Sequence, residues 1–190
     1  MKSIIKSISL AFMTLSGQVF SATEYELESE FSSISFATIK KQYIVEPATL
    51  NTLKGSINNN GKFELTIGIK GIDTGVTIRN TRLQEIFFSI EKFPNVTVTG
   101  SIALAELPDG SHKMIIPANV TLFGSTKTLN FPIVMFKAAG TIMISSIHPI
   151  IINANDFGIP NENLAKLSST VGNIAISDTV PLSLVLTFKK

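Results

Sequence analysis

The chain has 190 residues, 44% of them hydrophobic and 16% charged, which is enough apolar content for one buried core and too little charge for a disordered class. It contains no cysteine and only two histidines, His112 and His148. Disulfides, thiol catalysis, thiolate metal sites and any centre of three imidazoles from one chain are therefore excluded.

Residues 1–21 read as a secretory signal peptide. Lys2 and Lys6 make a basic start, Ile8 to Leu15 an apolar stretch, Gly17-Gln18 a break, and Val19 and Ser21 the small-residue positions before cleavage. The apolar stretch is too short to span a hydrocarbon core of about 30 Å. This predicts an exported, periplasmic mature domain over 22–190. Its removal takes two lysines and no acid, so the mature domain is formally neutral. It then has no electrostatic footprint for nucleic acid, which needs clustered Lys and Arg.

The mature segment alternates. Phe63, Leu65, Ile67 and Ile69 are interleaved with polar residues and glycine, which gives a strand one apolar and one wet face. The same period returns at Val96 to Leu104, Leu129 to Met135 and Val180 to Phe188, and more weakly at Ile34–Thr38, Met114–Leu122 and Thr141–Ile152. Asn58-Asn59-Asn60-Gly61 and Pro108-Asp109-Gly110-Ser111 are predicted as hairpin turns. One segment changes period: Leu83, Ile86, Phe87 and Ile90 fall on one face of a helix that Pro94 ends. A second short helix is predicted over Asn161–Ser169, after Pro160 and before Gly172. About eight strands with one or two short helices predict an all-β fold, a closed antiparallel barrel, because closure removes edge strands. Two stacked sheets are the rival.

Catalytic constellations are sparse. Gly124-Ser125-Thr126-Lys127-Thr128 lacks the glycines of a phosphate loop and reads as a strand hairpin. No Gly-x-Ser-x-Gly elbow supports a serine nucleophile. His112 is expected in an exposed loop and His148 as a structural residue. Asp73 and Asp156 are expected to cap their own turns.

Four motifs in register resemble the YceI family. The first is Ile72-Asp73-Thr74-Gly75 followed by Arg79-Asn80-Thr81-Arg82-Leu83; the second is Ile86-Phe87-Phe88 with Phe93-Pro94 and Val96-Thr97-Val98. Farther on come Val120-Thr121-Leu122-Phe123-Gly124-Ser125-Thr126-Lys127 and Asp156-Phe157-Gly158-Ile159. The resemblance implies a lipocalin-like eight-stranded antiparallel barrel, with a helix near its mouth and an elongated apolar interior for an isoprenoid, a quinone or a related amphiphile. No other cofactor is implied. The sequence departs from the family pattern at Asn80, Arg82 and Phe123, and also at Phe31 and Lys40, where the family carries an aspartate and histidines. Polar contacts to a ligand headgroup therefore do not transfer unaltered.

On this reading the interior is lined by Phe36, Leu65, Ile67, Phe87, Val98, Ile102, Phe131, Ile133, Ile144, Leu184 and Leu186. Arg79 and Arg82, three apart on the short helix, are expected to meet near the mouth, one binding the polar end of the ligand and the other holding a carboxylate or a strand end. The function expected is a non-enzymatic carrier of a long-chain lipid. A structural or stress-related domain with a filled core is the alternative, and a lipid-directed hydrolase or isomerase a third reading. Transient contact with a membrane or membrane protein and a homodimer are left open.

Overall fold

The computed structural model describes residues 24–190, so the expected signal peptide lies outside the described residues. Twelve strands are present: β1 (Tyr25–Leu27), β2 (Ser33–Lys40), β3 (Ile44–Leu50), β4 (Leu53–Ile57), β5 (Lys62–Gly68), β6 (Ile72–Asp73), β7 (Asn95–Ser101), β8 (Gly110–Leu122), β9 (Ser125–Ala138), β10 (Thr141–Ser146), β11 (Ile150–Asn153) and β12 (Thr179–Lys189). Two helices join them, α1 (Thr77–Arg82) and α2 (Asn161–Ser169).

All the strand pairings are antiparallel, and eight of the strands close a ring in the order β1-β4-β5-β7-β8-β9-β10-β12, with β12 returning to β1 through Glu26↔Lys189 and Leu27↔Phe188. The remaining four continue ring strands beyond a bend. One edge of β12 carries β1 and then β2, and the other carries β10 and then β11. Likewise β3 continues β4, and β6 continues β5. The architecture is thus the eight-stranded barrel that alternation and closure predict.

The bends have chemical causes. Between β1 and β2 the chain makes a turn of 3-10 helix at Ser29–Phe31, fastened to Thr187: Glu28 N–H donates to its carbonyl at 2.8 Å and its hydroxyl donates to Phe31 O at 3.1 Å. Thr187 is buried, and this bond satisfies it. At the second bend Asn51 N–H donates to Gly71 O and Gly68 N–H to Thr52 O, so β3/β4 and β5/β6 turn together.

One end of the barrel is the base. It carries the Asn58–Gly61 hairpin turn, the Ala139-Gly140 turn and the 102–109 connection, around the deeply buried Ile57, Met135, Ile142 and Phe188. The other end is the mouth, where both helices and the hairpin tips at Lys41–Tyr43 and Phe123-Gly124 lie.

Several local expectations are corrected. The first helix starts at Thr77, six residues before Leu83, and the predicted helical face at Leu83–Phe87 is a π-helical turn that Ser89, with a left-handed φ of 51°, ends before Pro94 is reached. Pro108–Ser111 is the end of a longer connection rather than a tight turn, because a 3-10 turn at Leu104–Glu106 intervenes after β7. His112 lies on β8, exposed, donating from Nε2 to Pro108 O at 2.8 Å. His148 is exposed in the bend between β10 and β11. Asp73 caps its turn as expected, accepting from Gly75 N–H at 2.9 Å. At the Asp156 turn the cap is instead Asn153, whose side chain accepts from Asn155 N–H. The second helix runs over the predicted residues.

Candidate functional site

Along the ring strands the inward residues are mostly apolar, with Lys137 of β9 turned to Leu107 O at the base. Higher up they stand apart and enclose a cavity of about 210 Å³. It runs from Ile57, Phe63, Ile102 and Phe188 near the base to Thr38, Ile176, Ser177 and Asp178 at the mouth. Its walls are almost wholly hydrocarbon, with polar side chains gathered at the mouth. An apolar space of this kind holds water poorly and is suited to a chain of methylene or isoprene units.

The helical segments roof the mouth. Phe88 N–H donates to Leu83 O at 2.9 Å, the i to i+5 bond of a π turn, which inserts one residue into the helical repeat. Leu83, Phe87 and Phe88 all line the cavity, and the two phenylalanine rings meet edge to face at 4.8 Å. Gln84 Nε2–H donates to Lys70 O at 3.1 Å and ties this turn to the barrel wall, and Asn163 Nδ2–H on α2 donates to Phe87 O at 3.0 Å. Leu164 and Leu167 of α2 add to the lining. Beside the roof, Phe93 stacks on Phe123 at 4.3 Å, so the position where a family histidine was expected instead pins the β8–β9 hairpin.

Of the residues singled out from sequence, Phe36, Leu65, Ile67, Phe87, Val98, Ile102, Phe131, Ile133, Ile144, Leu184 and Leu186 line the cavity. Arg79 and Arg82 do not. Arg79 is on α1 and its guanidinium meets Glu46 Oε1 at 2.8 Å, while Lys40 Nζ takes the other carboxylate oxygen. Lys40 and Glu46 continue, by the period of two, the inward faces of Phe36–Thr38 and Ala48–Leu50. The charge cluster therefore sits directly above the apolar wall. Sequence reasoning missed Phe88, Phe157, Ile159, Leu164, Leu167 and Ile176 as lining residues. The motif Asp156-Phe157-Gly158-Ile159 held the only signal for Phe157 and Ile159. Among the described residues no group of His, Asp and Glu is arranged to hold a metal.

The family model of the YceI-like domain matches residues 25–188, from the first barrel strand to the last. The chain belongs to the YceI-like family. By sequence, no curated protein matches this YceI-like chain. Its fold is similar to that of a polyisoprenoid binding domain from Saccharophagus degradans implicated in plant cell wall breakdown, with a TM-score of 0.81 and 26% identity over 87% of this chain and 97% of the other. It is also similar to BcnA from Burkholderia cenocepacia, with a TM-score of 0.64 and 17% identity over 85% and 98% of the two chains. Both likenesses cover nearly the whole of the other chain.

Proposed function

We propose that this YceI-like protein is an exported, non-enzymatic carrier that sequesters a long-chain amphiphile, a polyisoprenoid or quinone, with its tail in the barrel and its polar end at the mouth. The observation that carries the reading is the cavity itself, walled almost wholly by hydrocarbon and bearing Thr38, Ser177 and Asp178 at its mouth. Each methylene moved from water into it contributes about 0.8 kcal/mol, so affinity scales with chain length. The similar Saccharophagus domain is a polyisoprenoid binding domain, which supports the same class of ligand. Acid and base groups are not paired in the cavity as proton-transfer chemistry requires, which favours carriage over catalysis. Periplasmic residence rests on the sequence pattern of residues 1–21.

The test is organic extraction of the purified protein followed by mass spectrometry, together with uptake of a fluorescent polyprenyl probe by delipidated protein. The carrier reading expects a long-chain compound in the extract and saturable, stoichiometric uptake. An empty extract with no uptake would assign the chain to the filled-core alternative.

A further inference from the structure

The molecule exposes apolar side chains beside basic ones at its mouth, as it also does on the outer wall around Ile115, Val134 and Phe136. The β2–β3 hairpin projects past Lys40, whose bridge to Ile176 marks the upper limit of the wall, and turns through Lys41 and Gln42 in left-handed conformations. Its tip presents Tyr43 at 85% exposed and Val45 at 60%. The start of α1 presents Val76 at 40% and Ile78 at 56%. These two elements are neighbours, since β6 pairs with β3 at Thr49↔Asp73 and Arg79 reaches Glu46.

We propose that the β2–β3 tip and the start of α1 form a docking surface for an anionic lipid bilayer, holding the cavity mouth against the membrane while a ligand passes. This rests on the carrier reading for its purpose and on separate observations for its chemistry. An aromatic ring and a β-branched side chain beside lysine on a tip form an interfacial anchor, in which the apolar parts enter the headgroup region and the ammonium groups stay at its surface. The tip itself carries Lys40 and Lys41 and no acid over residues 37–45, while Arg79 and Arg82 lie between Asp73 and Glu85. Glu46, Asp73 and Glu85 offset three of these four charges, Glu46 by direct contact with Lys40 and Arg79, which leaves the positive excess at Lys41 on the tip. A lysine-bearing tip beside exposed hydrocarbon is complementary to anionic lipid. The position supplies the rest. A chain-bearing amphiphile that leaves this mouth at a bilayer never exposes its tail to water.

The experiment uses the full chain with vesicles of phosphatidylcholine, with and without added phosphatidylglycerol, in a flotation assay. The protein should float with the phosphatidylglycerol vesicles and much less with pure phosphatidylcholine. Tyr43→Ser with Val45→Ser should lower the bound fraction about tenfold or more, the loss expected on removing two buried anchors. Lys41→Glu should abolish the preference for phosphatidylglycerol. Val76→Ser with Ile78→Ser, on a different element, should repeat the loss should the hairpin variant fail to fold. Uptake of the fluorescent polyprenyl probe from detergent micelles is measured on the same proteins and should be unchanged. Failure of the parent to float, or flotation of both double variants like the parent, overturns the docking surface. A tip variant that splits a dimer while leaving flotation intact also overturns it, by assigning the patch to a second copy. Normal flotation without probe uptake sinks the carrier reading alone.

Discussion

Glu46 is a carboxylate shared by two cations from different elements, Lys40 of β2 and Arg79 of α1, each partly shielded from water. Replacing it with alanine leaves two like charges side by side. The expected loss is about 1 kcal/mol, more than a solvated surface pair gives, because the groups are partly buried and joined in one cluster. Denaturant unfolding measures it, and a smaller loss in high salt is part of the expectation. Gly71 tests the bend. A Cβ there would lie 2.5 Å from both the backbone nitrogen and the hydroxyl of Thr52, and backbone cannot step aside as a flexible side chain can. Gly71→Ala should cost about 1–3 kcal/mol and lower the melting temperature by several degrees. Val98→Trp makes the opposite kind of change, adding volume where the wall faces open cavity. The delipidated variant should melt within a few degrees of the parent yet take up little probe. A large stability loss with no uptake in either protein would point to a packed core. At this scale the sequence was partly legible. The apolar lining could be read because inward residues repeat every second position, whereas the partner of Arg79 could not, since Glu46 precedes it by more than thirty residues and meets it only through the pairing of β3 with β6.

Among the elements, β5, β7, β9 and β12 were plain in their alternation, and β3 was hidden. Its inward face carries Glu46 and the small Ala48 where a strand in the packed part of the barrel would carry larger apolar groups, and Pro47 interrupts the outward face. The very short β1 and β6 carry too little pattern to recognise, and both owe their place to neighbours. In the sequence the π turn reads as ordinary helix, because apolar residues at i, i+3, i+4 and i+7 suit either geometry, and the extra residue is decided by how Phe87 and Phe88 both find the cavity. The roof these segments form should control exchange. Leu167→Ala removes a buried side chain joining α2 to the lining and should cost about 2–3 kcal/mol. Release of a polyprenyl probe, followed by transfer to acceptor micelles, should be faster in this variant than in the parent. An unchanged release rate would mean that the ligand leaves without displacing α2.

For the molecule as a whole, ring closure predicts where stability resides. The ladder is unbroken around the base, whereas toward the mouth no strand pair joins β6 to β7 or β9 to β11, and the helical segments occupy those gaps. Native-state hydrogen exchange should therefore be graded along the barrel axis. Amides of Ile57, Met135 and Ile142 should exchange only through global unfolding, and those of β6 and β11 through local opening at lower free energy. Uniform protection from base to mouth would refute this division.

The strand that completes the ring, β12, bonds to β10 and β11 on one edge and to β1 and β2 on the other, and its partner Glu26 precedes Lys189 by most of the chain. It is also synthesised after the other eleven strands. Until it emerges, β1 and β2 lack the neighbour that joins them to β10, and the nascent chain holds an open sheet with an apolar face exposed. Its contacts then span the longest separations in the molecule, so loop closure must be met before those contacts form, which places refolding in the slow, millisecond-to-second regime of β topologies. The same geometry brings Lys190 over the ring of Tyr25, its ammonium 4.9 Å from the centroid. A circular permutant that links these ends and opens the chain at Asn59-Asn60 would make β1 and β12 consecutive in sequence. It should fold to the same barrel faster than the parent, because the slowest closure has become a hairpin.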